Sequence, residues 1–149
     1  MYKKILVPVD GSDTSNLALK EAIKLAKEQQ AALRVIHVVD ETTVYMVAET
    51  PYPIADYLKM MRETGQKVLS TCAMTAQEAG IKVDTKLVVI ESLTQRICDA
   101  INEEAKRWSA DLVVIGTHGR RGFNHLLLGS VAEGVIRLAT KPVLIYRET

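Results

Sequence analysis

Apolar and polar positions follow two rhythms along this chain. Short apolar runs alternate with longer segments in which apolar residues recur every three or four positions. The short runs are typical of strands buried on both faces, and the longer rhythm is typical of helices packed on one side. Five strands are predicted at residues 5–9, 32–39, 82–89, 111–115 and 141–146. Pairing of the first strand should stop near Pro8, because proline has no N–H to donate.

Four predicted helices separate the strands, at residues 12–30, 54–80, 93–108 and 131–139. Ser12 suits the start of the first helix, and Gly80 suits the end of the second. A strict strand-helix alternation predicts a single doubly wound α/β domain over residues 1–149. Its five-stranded sheet should be parallel, with right-handed connections and helices on both faces.

One long irregular stretch, residues 40–53, interrupts the alternation and carries several apolar side chains and two prolines. Loops of this length in small domains are often functional covers. Two interpretations stay open at this point. The stretch is either a flap near a ligand or a dimer contact, or it is a variable insertion that folds onto its own domain.

Charge and composition exclude several classes of function. The formal net charge is +1, from 19 basic and 18 acidic residues, so there is no electrostatic reason to expect nucleic acid or an anionic membrane as a partner. No apolar run approaches the roughly 20 residues that cross a bilayer. The start of the chain has no signal-peptide pattern, so we expect a cytoplasmic protein.

Isolated histidine and cysteine residues carry no strong chemical signal. His37 lies inside the second strand, with no second His or Cys at ligand spacing, so a packed or hydrogen-bonded neutral imidazole is expected. Cys72 and Cys98 have no metal-type spacing. Cys72 continues the apolar stripe of the second helix and should be a buried small side chain.

The most informative stretch covers residues 111–130, where a strand, a glycine loop and a helix start follow one another. Glycines occur at 116, 119, 122 and 129, and Ser130 follows the last of them. Glycine allows the backbone to approach a ligand closely, and a helix start presents free N–H donors. The pattern is therefore a candidate phosphate cradle. It is neither a Walker A loop nor a dinucleotide fingerprint, and a loop whose glycines only turn the chain is the alternative.

The spacing Gly116-x-x-Gly119, nine residues, then Gly129-Ser130 resembles the signature of the ATP-binding branch of the universal stress protein family. The opening at residues 3–12 and the ending at residues 141–145 are also similar to that family. Only the loop at Glu91 departs from it, because the family often has glycine there. The resemblance implies an adenine nucleotide alpha hydrolase-like sheet of order 3-2-1-4-5. In that order a crevice opens between the carboxyl ends of strands 1 and 4.

The resemblance and the crevice together assign provisional roles to residues. Pro8 and Val9 should line the adenine side, with Val38 matching an adenine-contacting position of the family. Asp10 should contact the ribose or a metal-bound phosphate, which makes it the candidate Mg²⁺ ligand. The remaining predicted nucleotide-binding residues are Gly116, His118, Gly119, Arg120, Gly129, Ser130 and Val131. Arg120 and its neighbour Arg121 can equally be solvated loop charges.

These roles imply an ATP-binding regulatory module, with ATP held together with Mg²⁺. No P-loop lysine occurs, and Asp10 is the only evident metal-facing carboxylate, so no catalytic residue is assigned and at most a weak ATPase is expected. Nucleotide would then stabilise one conformation or assembly. The alternatives are a slow ATP hydrolase or phosphoryl-transfer enzyme, and an interaction module that binds no nucleotide.

The last strand bears on partners. At the end of the sheet it exposes an unpaired ladder edge, and its apolar residues Val143, Leu144 and Ile145 leave that edge poorly protected. Pairing two such edges about a two-fold axis would cover both. The family resemblance also suggests a homodimer formed through this strand.

Overall fold

A computed structural model describes residues 1–46, 53–118 and 127–148 of the chain. The five strands are β1 (Lys4–Pro8), β2 (Ala32–Asp40), β3 (Val83–Ile90), β4 (Leu112–Gly116) and β5 (Val143–Tyr146). The four α-helices are α1 (Asp13–Gln29), α2 (Ile54–Glu78), α3 (Ile97–Trp108) and α4 (Ser130–Leu138). A 3₁₀ helix, Glu41–Met46, follows β2.

The strands form one parallel sheet of order β3-β2-β1-β4-β5, which confirms the predicted fold class. β1 lies in the middle, and the side chains of Ile5, Leu6 and Val7 are fully buried. A strand covered on both faces needs apolar residues at successive positions, which is why the two central strands, β1 and β4, contain continuous apolar runs.

Helices cover both faces of the sheet. On one face, α1 and α2 pack over the odd-numbered residues of β1 and β2, such as Val7 and Val35. On the other face, α3 and α4 pack over the even-numbered residues of these two strands, such as Leu6 and Ile36. Successive strand side chains point to opposite faces, so each strand contributes to two separate cores. Cys72 is buried, as expected, and Cys98 is buried too. Burial raises the pKa of the Cys72 thiol to about 11.

The helix ends follow local chemistry. The Ser12 hydroxyl accepts a hydrogen bond from the N–H of Ser15 and caps α1, as predicted. Gln30 ends α1 in the left-handed conformation, and Gly80 follows α2 with φ of 78°. The prediction that α3 includes Leu93 is wrong. Leu93 lies in an exposed turn, and α3 begins only at Ile97, where the Asp99 carboxylate accepts the backbone N–H of the N-cap residue Arg96.

A buried ion cluster joins α3 to the sheet. The Glu104 carboxylate is 1% exposed and lies 2.8 Å from both the Arg34 guanidinium and the Lys86 ammonium. Arg34 also stacks 4.8 Å from the centre of the Trp108 ring. A buried carboxylate is stable only when paired in this way, so the cluster fixes how α3 sits on β2 and β3.

Gly65 marks the closest approach of α2 to the sheet. A Cβ at this position would lie 2.8 Å from the His37 ring, 2.7 Å from Leu87 and 3.2 Å from Val39. Glycine in a helix interior costs about 1 kcal/mol relative to alanine. The close contact with the sheet explains why glycine occurs there.

We therefore expect Gly65→Ala to destabilise the protein, although alanine is the better helix former. Overpacking of a filled core costs about 1–3 kcal/mol, which exceeds the gain in helix propensity. Denaturant unfolding measures the effect. The exposed neighbour Gln66 provides the control, because Gln66→Ala should leave the free energy of unfolding within about 0.5 kcal/mol of wild type. A Gly65→Ala protein as stable as wild type would contradict the packing account.

Candidate functional site

The sheet opens at its carboxyl edge between β1 and β4. β1 pairs with β2 over the whole span from Lys4 to Pro8, but its register with β4 covers only Ile5 and Leu6. Beyond Pro8, the Val9 N–H still reaches β2, where it donates to the Ile36 carbonyl at 2.8 Å. β1 therefore stays with β2 and parts from β4, and this parting forms the predicted crevice.

One wall of the crevice is the turn between β1 and α1. The Asp10 carboxylate accepts the Ser12 N–H at 2.9 Å, and Gly11 between them takes a left-handed φ of 82°. Such an Asx turn is a short-range structure that fixes its side chain. Asp10 is half-buried at this position, with its direction set by the turn.

The opposite wall joins the end of β4 to the start of α4. The Thr117 carbonyl accepts the Gly129 N–H at 2.5 Å, while the Thr117 N–H donates to Tyr146 of β5 at 3.0 Å. A Cβ on Gly129 would lie 3.0 Å from the Thr117 oxygen and 3.1 Å from the His118 Cα. Glycine at 129 thus allows the chain to return to the end of β4, and α4 starts at the crevice.

The amino terminus of α4 is the element with the clearest chemical capacity. Gly129, not Ser130, is the N-cap residue, and as a glycine it has no side chain to cap the first turn. Ser130 is the first helical residue and is exposed, and Val131 follows it half-buried. The first N–H groups of a helix lack intrahelical acceptors and carry partial positive charge. They are suited to bind an anion such as phosphate.

Gly116 and His118 flank Thr117 on this wall. A Cβ on Gly116 would lie 2.8 Å from the Thr14 side chain and 3.2 Å from its backbone, so the missing side chain lets α1 pack against the end of β4. The His118 Nδ1 lies 2.9 Å from the Thr117 hydroxyl oxygen. This bond ties the imidazole to the segment that leads out of β4.

The third side of the crevice is the end of β2. Val38 lies there half-buried and packs against the α3–α4 core. The expected hydrogen-bonded role of His37 also holds, since its Nδ1 lies 2.8 Å from the Val9 carbonyl oxygen. The structure thus brings Pro8, Val9 and Asp10 to the same edge of the sheet as the other described candidates. Predicted site residues Gly119 and Arg120 lie outside the described residues, as does Arg121.

A magnesium ion fits this edge only in company with phosphate. Over residues 1–46, 53–118 and 127–148, no three His, Cys, Asp or Glu side chains converge as a metal site. Mg²⁺ is commonly held by one or two carboxylates together with phosphate oxygens and water. Asp10 can supply one such carboxylate, so the residues present suit a nucleotide-bound Mg²⁺ and not an all-protein cage.

A cavity of about 320 Å³ lies at the opposite, amino edge of the sheet, between the ends of α3 and α4. Lys106, Ser109 and Lys141 line part of it. Asp111, also in its lining, accepts the N–H groups of Lys3 and Lys4, which lower the pKa of its carboxyl group. The carboxyl ends of two helices carry partial negative charge. This cavity is therefore less suited to a phosphate than the crevice at the other edge.

A salt bridge between the buried Glu41 and the exposed Arg62 was not predicted from the sequence. Glu41, the first residue of the 3₁₀ helix, receives two hydrogen bonds from Arg62 of α2, at 2.5 and 2.9 Å. The 3₁₀ helix thus forms the first part of the stretch predicted as irregular, and residues 47–52 lie outside the described residues. Arg62 packs Glu41 against its own domain, as the insertion interpretation expected for this part. A charged pair 21 residues apart has no sequence signature.

Arg62 makes the stability of the protein depend on pH through Glu41. Its hydrogen bonds hold the pKa of the Glu41 carboxyl below the ordinary value of 4.5. A lowered folded-state pKa means that the pair stabilises the protein fully above 4.5 and loses this effect as the pH falls through the folded-state pKa. We expect the free energy of unfolding of wild type to fall more steeply than that of Glu41→Gln between about pH 6 and about pH 3.

Glu63→Gln is the matched control for that measurement. Glu63→Gln makes the same change of charge one residue beyond Arg62. The Glu63 side chain, however, is 61% exposed and lies 3.9 Å from Lys59. Exposed pairs of this kind contribute about 0–1 kcal/mol, so this variant should keep the wild-type pH slope. Equal slopes for wild type and Glu41→Gln would refute the assignment.

Comparison with known proteins identifies the family of this chain. A sequence profile of the universal stress protein family matches residues 1–147. The chain belongs to this family. Universal stress protein MJ0531 of Methanocaldococcus jannaschii is 40% identical over 149 residues, which cover 99% of this chain and 84% of that protein.

Two solved structures show the same fold as this universal stress protein. MJ0577 of Methanocaldococcus jannaschii superposes with a TM-score of 0.83 at 29% identity, over 100% of this chain and 98% of that one. A universal stress protein in complex with cAMP superposes with a TM-score of 0.68 at 26% identity, over 99% and 98% of the two chains. Within the described parts of the chain, no helix is long and apolar enough to cross a membrane.

Proposed function

We propose that this universal stress protein binds adenine nucleotide in the crevice between β1 and β4, with ATP and Mg²⁺ as the bound form. The observation that carries the proposal is the amino terminus of α4. It starts at the carboxyl end of β4, where β1 has parted from β4, and its N-cap residue Gly129 has no side chain to cap the first turn. Free N–H donors at such an edge are the usual phosphate site of parallel α/β sheets.

The proposed roles follow the geometry of the three sides. Backbone N–H groups at the start of α4, with the Ser130 hydroxyl, hold phosphate oxygens, and Gly129 lets the chain approach them. Pro8, Val9 and Val38 line the adenine side. Asp10 contacts the ribose or the Mg²⁺ held by the phosphates. The roles of His118, Gly119 and Arg120 on the phosphate side rest on the sequence pattern.

A relative of known structure supports adenine as the base of the proposed nucleotide. One family member of known structure was solved in complex with cAMP, which combines an adenine with a phosphate. At 26% identity that protein shares the fold and most of the chain length with this one. An adenine nucleotide is therefore the first ligand to test, and cAMP, AMP and ADP are competitors to include beside ATP.

We propose a regulatory module and not a fast hydrolase. Phosphoryl transfer needs charge clamps and an oriented nucleophile beside the metal. The Asp10 carboxylate is already oriented by the Ser12 N–H. Among the described residues, no three His, Cys, Asp or Glu side chains converge beside it as a metal site. Binding without rapid turnover suits a cytoplasmic switch, in which nucleotide favours one conformation or assembly.

We expect Mg-ATP to stabilise the wild-type protein and Ser130→Glu to remove that effect. Ligand at 100 times Kd adds about 2.7 kcal/mol, a rise in Tm of roughly 5–11 °C for a chain of this size. A carboxylate at the first turn of α4 favours the helix by about 0.3–1 kcal/mol but repels phosphate. The variant should therefore melt no lower than wild type without nucleotide and show no shift with it.

Ser130→Gln is the matched control, because it adds the same bulk without the charge. It should keep most of the shift, whereas a full shift in Ser130→Glu would place the phosphate elsewhere. Isothermal calorimetry with ATP, ADP, AMP and cAMP ranks the ligands. Flat titrations for all four would favour the interaction module without nucleotide. A phosphate-release assay on the same samples then decides between a binding module and a slow ATP hydrolase.

We further propose that the protein forms a homodimer through β5. This strand lies at the edge of the sheet, and Ile145 is 39% exposed while Val143 and Leu144 are half-buried. Pro142 and Tyr146 offer their carbonyls to β4. By the period of two along a strand, the peptide groups of Val143 and Ile145 point away from β4, toward the free edge.

Ile145→Pro tests the dimer without breaking the β4–β5 ladder. Proline removes the outward N–H of this residue, so pairing with a second copy should fail. Sedimentation velocity should show a dimer for wild type and a monomer for Ile145→Pro. Ile145→Ala keeps the N–H and should stay largely dimeric. A monomeric wild type at about 100 μM, well above the Kd of a stable dimer, or a dimeric proline variant, would overturn the proposal.

A further inference from the structure

His37 connects two parts of the molecule that meet at the crevice. The residue lies in β2, paired with Leu87 of β3, and its ring points to the α1–α2 face of the sheet. Its Nδ1 lies 2.8 Å from the carbonyl oxygen of Val9. A carbonyl oxygen only accepts hydrogen bonds, so Nδ1 carries the proton and the imidazole is the donor.

This hydrogen bond occurs where the regular pairing of β1 ends. The last paired residue is Pro8, opposite Ile36, and the Val9 N–H still donates to the Ile36 carbonyl. The Nδ1–H of His37 then donates to the Val9 carbonyl oxygen. Both polar groups of the Val9 backbone are thus held by β2, on the side away from β4.

The ring itself is held in place by α2. Gly65 lies against it so closely that a Cβ there would come within 2.8 Å of the imidazole Cδ2. The packing leaves the ring little freedom to turn, because interiors are close-packed and a side chain cannot move without displacing its neighbours. The donor is therefore presented at a fixed point at the edge of the crevice.

We propose that His37 is a positioning residue of the nucleotide site. Its Nδ1–H holds the Val9 carbonyl on β2, which keeps the Val9–Asp10 segment away from β4 and sets the width of the crevice and the direction of Asp10. The inference rests on the proposed nucleotide function but goes beyond it, because the His37 side chain bonds to the Val9 carbonyl on the side away from β4 and is not itself one of the proposed nucleotide contacts.

The experiment compares His37→Leu with His37→Asn. The two replacements have nearly the same shape, but only asparagine keeps an N–H donor close to the position of the imidazole Nδ1. Calorimetry with Mg-ATP should show that His37→Leu binds about tenfold more weakly than wild type, while His37→Asn stays within about threefold. Equal affinity of wild type and His37→Leu overturns the inference, as does an asparagine variant no better than leucine.

Val35→Ala separates positioning from stability. Val35 is fully buried on the same strand and the same face, two residues before His37, and its loss should lower Tm without changing the Val9 carbonyl. This control should keep the wild-type Kd. An affinity loss in Val35→Ala as large as that in His37→Leu would mean that affinity follows overall stability, and would overturn the positioning role.

A second readout needs no nucleotide. Amide NMR of the free protein should show that the Asp10 N–H resonance moves in His37→Leu and returns toward its wild-type position in His37→Asn. If wild type binds none of the nucleotides, the proposed function fails and this spectrum alone decides the inference. If His37→Leu does not fold, Gly65→Ala replaces it, because this variant retains His37 but pushes its ring out of position. An Asp10 resonance that does not move in Gly65→Ala then contradicts the proposal.

Discussion

The pairing of β1 is the constraint on which the rest of the structure depends. Near its start β1 has a neighbour on each side and helices on both faces, so its polar backbone is satisfied, and the side chains of Ile5, Leu6 and Val7 are apolar and fully buried. Past Leu6 it keeps only the neighbour β2. The Val9 backbone bonds to Ile36 and His37, and the opening toward β4 is what remains.

Several charged side chains in the described part of the chain are paired with one another and hold the elements together. Arg34 and Lys86 are held by the buried Glu104 on the α3 face, and Arg62 is held by Glu41 beside the end of β2. Each of these pairs fixes one element against another. At the start of α4, peptide N–H groups and the helix dipole are suited to attract an anion such as the phosphate of the proposed nucleotide.

Much of the fold could be predicted from local pattern. Apolar runs located all five strands, and the cap at Ser12 and the turn at Gly80 located helix ends. The glycine spacing before Ser130 marked the segment that joins β4 to α4, where the candidate site lies. Errors arose where a pattern continued past its element. Leu93 fits the apolar phase of α3, yet the helix starts at Ile97, because Arg96 and Asp99 form the cap.

The sequence by itself determined the succession of strands and helices along the chain, the parallel sheet and the glycine loop, because periodicity and turn chemistry act over a few residues. The tertiary structure alone decided which distant groups meet. Gly65 lies on His37, His37 bonds to Val9, Gly116 packs on Thr14, and Glu104 is buried among cations from β2 and β3. Such contacts join residues 18 to 102 positions apart, and no short-range pattern records a partner that only chain folding brings near.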